Sequence, residues 1–354
     1  MHITASFAPD QEHPRHSEGS FIRLNDGRIM FVYSRFSEYN GDDAPSDLVA
    51  VYSSDEGETL SESETVIRAS MYNTKNVMST SLLRMDNGDI GLFYIVKQTP
   101  SISRIMLSRS ADEGRSYYSH TECTSIENAG YYVLNNDRVI RHSSGRILVP
   151  LAYHRTAVSP DGLKGYFDSR AFNCFLYSDD DGTTWEEAPD IVYPPFTNTD
   201  TGLQEPGLVE KLNGAVWAYS RTDKMYQYEA ISTDVGLHWS VPQPSRFTSP
   251  TSPMLIKRNP YNGMLYAVWY PVPMYNGRTE SPAGWGRTPF VYAYSSDDGA
   301  TWSDYIVIED KPDHGYCYPA LFFTNDNSML VSYCSGGPED GICLARTTIM
   351  KINI

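Results

Sequence analysis

The chain spells nearly the same octapeptide five times: SSDEGETL (53–60), SADEGRSY (110–117), SDDDGTTW (178–185), STDVGLHW (232–239) and SSDDGATW (295–302). All five share S-x-D-x-G, and successive copies start 57, 68, 54 and 63 residues apart. Self-similarity at such a period marks stacked supersecondary units, none of which can bury its apolar face alone. The box has the chemistry of a tight turn. Ser and Asp side chains bond nearby backbone N–H groups, and Gly supplies the positive φ that such a turn needs. The acid-rich DDDG at 179–182 invites a calcium-loop reading, but the ligand spacing and terminal Glu of an EF-hand are missing. The boxes are read as structural turns.

A second motif precedes each box and occurs once more after the last. It is an apolar run, a polar turn with Gly or Asn, and another apolar run, as in SFIRLNDGRIMFVYSR (20–35) and RVIRHSSGRILVPLAYHR (138–155). This is a β-hairpin signature, and it occurs six times. A further strand leads from each of the first five hairpins into a box, which makes the unit a four-stranded antiparallel sheet. Radial stacking around an axis is the usual solution for such units. The expected fold is an all-β, six-bladed β-propeller, a single domain spanning 1–354. In it the N-terminal ITASFAP completes the last blade beside GICLARTTIMKI. The 26 Tyr and 6 Trp suit half-buried strands, and no segment sustains a helical period.

A formal charge of -16 opposes binding to nucleic acid or anionic lipid. No apolar run reaches membrane-spanning length. The opening MHITASFAPDQEHPRH lacks a basic stretch followed by an apolar one, so the expected location is cytoplasmic. Five cysteines without a C-x-x-C fit reduced thiols, with Cys317 and Cys334 facing each other across a hairpin. No H-E-x-x-H occurs, and the eight His show no metal spacing. The GWGR at 284–287 lacks the strand-to-helix context of a dinucleotide loop, so no cofactor is expected.

In a propeller the innermost strands line one central pocket. Aligning the hairpins on the turn Gly or Asn selects the residue nine places earlier: Glu18, Ser79, Asn136, Glu205 and Tyr318, with Thr251 or Ser252 in the fifth hairpin, whose turn is longer. The far ends of the second strands add Arg35, Lys97, His154, Arg155 and Arg221. An acidic chain that gathers cations at one mouth suggests an anionic small ligand.

The whole pattern resembles the sialidase (neuraminidase) superfamily, six-bladed propellers with Asp boxes and an axial active site. In QEPGLVEKLNGAVWAYSR, Glu205 and Arg221 fall on family positions, in CYPALFFTNDNSMLVSY Tyr318 falls on the catalytic Tyr, and in FVYSR Arg35 matches an Arg. The resemblance implies an exo-glycoside hydrolase acting on an acidic sugar, with Tyr318 as nucleophile activated by Glu205. A neutral phenol suits a substrate whose own carboxylate repels an anionic nucleophile. The family's acid is an Asp on the loop after the first hairpin, where Asp42, Asp43 and Asp47 qualify and Asp43 is favoured. Arg287 in GWGRTPF is the better candidate for the third substrate-binding Arg, and Arg278 the second.

The departures matter as much. Where the family begins its first inner strand with R-I-P, this chain has Glu18-Gly19-Ser20, and where it places a supporting Glu on the last hairpin, this chain has Tyr333-Cys334. Arg15, three residues upstream, is the nearest replacement. Two further readings stand beside the first. Glu18 and Glu205, on opposite blades, form a carboxylate pair whose separation decides inversion or retention. Alternatively, the chain is a non-catalytic propeller that binds a glycan or a protein. Hydrogen-bond contact between Glu205 and Tyr318 in a pocket discriminates between enzyme and binder.

Overall fold

The hairpins read from sequence all form, and each is widened by two more strands. The computed structural model describes residues 1–124, 130–158, 165–271 and 282–354. The first unit runs Arg15–Arg23, Ile29–Phe36, Ser46–Ser53 and Glu64–Ile67. The second runs Asn76–Arg84, Ile90–Thr99, Ile102–Ser110 and Ser119–Glu122. One parallel pairing, Ser46 with Asn76, fuses these two into an eight-stranded sheet. The third unit has an interrupted inner edge, Tyr131–Val133 and Ile140–Arg141, against Ile147–His154, then Phe172–Ser178 and Glu186–Glu187. The fourth is Gln204–Glu210, Val216–Arg221, Tyr226–Ser232 and Gln243–Thr248. The fifth is Leu255–Arg258, Leu265–Trp269, Phe290–Ser295 and Ile306–Glu309. The last is Cys317–Phe323, Ser328–Cys334 and Thr347–Asn353, with His2–Phe7 from the N-terminus as its outer strand. The fold is all-β and propeller-like. Among the described residues its helical content is the 3-10 turn Ala69–Tyr72.

Apolar burial lies between neighbouring units, as sheets that cannot cover their own faces require. One buried cluster joins Ile22, Val32 and Leu48 of the first unit to Leu82, Leu92 and Tyr94 of the second. Another joins Phe21 and Phe31 of the first to Leu330 and Ile349 of the last. Each fully buried side chain of this size contributes about 1.5–3 kcal/mol.

The boxes turn the chain by one repeated hydrogen-bond scheme. In SDDDG the Ser178 hydroxyl donates to Asp180 Oδ1 at 2.8 Å and accepts the buried N–H of Gly182 at 2.7 Å. Asp180 Oδ1 in turn accepts the N–H of Thr184 at 2.8 Å. The residue before each Gly has positive φ (Glu56, Glu113, Asp181, Val235 and Asp298). Where it is acidic, it ties its own unit to the preceding turn. Glu113 accepts from Arg84 at 2.7 Å and from the N–H of Asn25 at 2.7 Å. Glu56 does the same for Arg23 at 2.7 Å and the N–H of Asn325 at 3.0 Å. Asp298 does so for Arg258 and the N–H of Leu212. Val235 has no carboxylate to offer, and at the corresponding junction Glu210 accepts the N–H of Ser143 instead, at 2.8 Å. These links carry no catalytic chemistry.

All five cysteines are free and buried, and Cys317 stands opposite Cys334 in register. A short hairpin that the repeat pattern does not announce, Thr156–Val158 with Gly165–Phe167, projects from the end of the third unit's second strand.

Candidate active site

The inner strands bend at one shared place. Between Ser17 and Ser20, Met78 and Ser81, Gln204 and Gly207, and Cys317 and Ala320, each inner strand carries one extra residue relative to its partner. The residue following the first of each pair has positive φ: Glu18 (58°), Ser79 (58°), Glu205 (48°) and Tyr318 (52°). A bulge of this kind re-aims a side chain. Holding a non-glycine residue there costs about 1–3 kcal/mol, a strain found disproportionately at functional sites. The four residues are those selected by counting back from the turns, and all four line one cavity of about 290 Å³.

The fifth selection needs correcting. In the third unit the positive φ falls on Asp137 (60°), not Asn136. The register there runs from Val133 opposite Ala152 to Ile140 opposite Leu148, so this inner edge holds more extra residues than the others and the count slips by one. Asn136 is fully buried and turned from the cavity, its amide donating to the carbonyls of Gly19, Tyr318 and Pro319 at 2.8, 3.2 and 3.3 Å. Its neighbour Asn135 lines the cavity instead. Asp137 is a hub: its carboxylate accepts from Ser20, Lys257 and the N–H of Leu321 at 2.9, 2.6 and 3.0 Å.

Tyr318 Oη donates to Glu205 Oε1 at 3.0 Å, and Arg221 Nη1 lies 2.8 Å from Glu205 Oε2. Enclosure first, and the Glu205 charge second, push the Tyr318 phenol well above its ordinary range, so at neutral pH it keeps its proton. Arg287 also lines the cavity and is 5% exposed. Its guanidinium donates to the Thr251 carbonyl at 3.2 Å and lies 5.0 Å from the centre of the Trp285 ring, while its buried Nε has no partner. No carboxylate among the described residues pairs with it. Lys97 reaches the same cavity and donates to the Asp42 carbonyl at 2.6 Å. Arg278 lies outside the described residues.

The other predicted cations divide by strand parity. Gln204, just before the Glu205 bulge, faces Arg221, whereas Ser17, just before the Glu18 bulge, faces Ser34. Ser34 turns inward and accepts the N–H of Ser79 at 3.0 Å. Arg35, one residue further, lands on the opposite face, where it donates to Ser63 and Thr65 beside a separate cavity. The same offset separates His154, which lines the central cavity, from Arg155, which turns out to pair with Asp168. Arg35 and Arg155 are therefore removed from the site. His154 is no cation either: burial lowers its pKa, and Nδ1 donates to the Asp168 carbonyl at 3.0 Å.

The acid loop resolves likewise. Asp43 is exposed and does not line the cavity, so the favoured assignment is corrected. Asp47 is occupied in accepting the N–H of Ala69 at 2.8 Å. Asp42 lines the cavity and pairs with the fully buried Arg15 at 2.6 Å. Crowding by the cavity walls opposes its charge, but Arg15 and Lys97 outweigh that and hold its pKa at about 2. Glu18 behaves oppositely. Burial outweighs Arg15, with Asp42 adding repulsion, and raises its pKa to about 7. The repeat pattern does not point to four aromatic residues of the wall, Tyr131, Tyr132, Phe167 and Trp285, because their segments vary between units. The single signal for Trp285 was its place two residues before Arg287.

Comparison with known proteins agrees with this fold. No curated protein sequence matches the chain. Among solved structures, a Dyadobacter fermentans protein of unknown function superposes with a TM-score of 0.72 at 20% identity, covering 99% of each chain. The NanB sialidase from Streptococcus pneumoniae superposes with a TM-score of 0.72 at 14% identity, over 100% of this chain and 70% of that one. The Hadza microbial sialidase Hz136 superposes with a TM-score of 0.72 at 15% identity; this chain covers 66% of its length. At these identities the likeness speaks for a shared sialidase-like fold. Residues 82–331, well over half of the chain, match the model of the BNR repeat-like domain. The chain belongs to the BNR repeat-like domain family.

Proposed function

We propose that the chain is a six-bladed propeller, a single domain over 1–354, that hydrolyses a terminal acidic sugar from a glycan at its central cavity. The six-bladed reading is supported by the buried clusters and acidic links between successive units, the last of which packs on the first. The catalytic reading rests chiefly on one observation, the Tyr318 Oη to Glu205 Oε1 hydrogen bond at 3.0 Å in a cavity also lined by Arg221.

A phenol that keeps its proton needs a base in contact with it to become a nucleophile. Glu205 is in contact, and its other oxygen is held by Arg221. Proton transfer to Glu205 then accompanies attack of Tyr318 Oη on the anomeric carbon. Arg287, buried and without a carboxylate partner among the described residues, and Lys97 support an anionic group on the sugar. The sialidases among the structural neighbours favour the same substrate class.

The test is release of sugar from a panel of sialosides and uronosides by wild type and by Tyr318→Phe. The wild type should cleave at least one class, and the variant should lose at least about 10³-fold in kcat. Equal turnover by the two proteins would remove Tyr318 from the mechanism.

A further inference from the structure

Hydrolysis through Tyr318 also needs a group that protonates the departing oxygen. The loop aspartates serve poorly, since Asp43 lies outside the cavity and Asp42 is clamped to Arg15 at 2.6 Å. We propose that Glu18, delivered by the first unit's bulge into the cavity that holds Tyr318 and Glu205, is the proton donor to the leaving oxygen. This rests on the hydrolase reading above.

Glu18 is 5% exposed, lines the cavity, and occupies in its unit the same bulge position that Glu205 and Tyr318 occupy in theirs. From its own strand it meets Arg15, whose Nη2 stands off at 3.4 Å. From the second unit it accepts a hydrogen bond from Ser79 Oγ at 3.2 Å, and Lys97 faces it from the adjacent strand. Asp42 faces it from the loop and Tyr318 from the last unit. Behind Arg15, Ser17 Oγ contacts Cys334 Sγ at 3.3 Å, so the last unit brings no counter-charge there. Arg15 is thus one cation shared by two carboxyl groups, and its short bond goes to Asp42. Two acids sharing a site cannot both ionise cheaply, and the one in poorer contact with solvent and cation keeps the proton. Asp42 is 64% exposed and Glu18 5% exposed, which makes Asp42 the anion and Glu18 the acid. A pKa of about 7 agrees with that division.

The steps balance. As Tyr318 Oη bonds to the anomeric carbon and passes its proton to Glu205, the carbon–oxygen bond to the aglycone breaks and Glu18 protonates that oxygen. Glu18, now a carboxylate, then takes a proton from water, whose oxygen displaces Tyr318 from the sugar. Glu205 returns its proton to the phenol.

The experiment compares methyl and p-nitrophenyl glycosides of sialic acid and glucuronic acid with wild type, Glu18→Gln and Asp42→Asn. For Glu18→Gln, kcat/KM on the methyl glycoside should fall about 10²–10⁴-fold. On the p-nitrophenyl glycoside, whose leaving group needs no proton, it should fall less than about tenfold. Azide, which needs no base, should restore kcat on the latter, and the alkaline limb near pH 7 should vanish. Asp42→Asn keeps Glu18 but frees Arg15 for it, and should move that limb to lower pH. Equal losses on both leaving groups, no loss at all, or an unmoved limb in Asp42→Asn would overturn the assignment while leaving the hydrolase reading intact. If the wild type cleaves none of the four glycosides, the hydrolase reading fails and the donor role fails with it.

Discussion

Glu18 and Asp42 show how one guanidinium can set two carboxyl groups to opposite tasks. Glu18 is raised from 4.5 to about 7, so the stability it contributes is fully present below about pH 4.5 and is lost as pH rises through about 7. Asp42 has the reverse sign: lowered from 3.8 to about 2, it contributes above about pH 3.8 and loses that as pH falls through about 2. Glu18→Gln removes the first dependence alone. Urea melts at pH 5 and pH 8 should find wild type losing about 2–3 kcal/mol relative to this variant between the two. A difference independent of pH would mean that Glu18 is ionised throughout. At this scale, the positions that counting back from a turn can find are those whose spacing to the turn is constant, as for Glu18, Ser79, Glu205 and Tyr318. In the third unit the count lands on Asn136 instead of Asp137 because that inner edge carries additional residues, and Arg35 and Arg155 fall outside the site on parity, where a single residue reverses the face.

The strands and turns were more legible than the site, because a hairpin is a local object and a cavity is not. The S-x-D-x-G box contains all the atoms of its own turn, so its structure follows from eight residues. What it does between units was not visible, since Glu113 meets Arg84 and Asn25 only once the sheets are packed. Replacing Glu113 by Ala leaves Arg84, itself 29% exposed, without its carboxylate and strips the N–H of Asn25 of its acceptor. The expected loss is about 1.5–3 kcal/mol, the range for hydrogen bonds to charged groups, read as a lower urea midpoint. The fourth junction already lives without such an acid at Val235, so Val235→Ala should leave the midpoint almost unchanged. An equal effect of the two substitutions would show that the link contributes no stability. The hairpin bearing Phe167 and the loop bearing Trp285 belong to no repeat, so no repeat signal marks those two aromatic residues of the wall.

Across the whole molecule the chain ends meet in one sheet, with His2 opposite Lys351 and Phe7 opposite Thr347, so the outer edge of the last unit is closed by the first residues. That closure matters to the chemistry. Glu18 comes from the first unit, Glu205 and Arg221 from the fourth, and Tyr318 from the last, and their meeting depends on how the units are arranged around the cavity. Asp137, bonded to Ser20, Lys257 and Leu321, ties the inner strands of the first, fifth and last units together beside it. Peptide mapping of the protein after reaction with a fluorinated analogue of whichever sugar it releases, chosen to slow the second step, tests Tyr318 as the nucleophile. One sugar per chain is expected, attached at Tyr318 and absent from Tyr318→Phe. Attachment at another residue, Glu18 or Glu205 for instance, or continued turnover with no adduct, would contradict it.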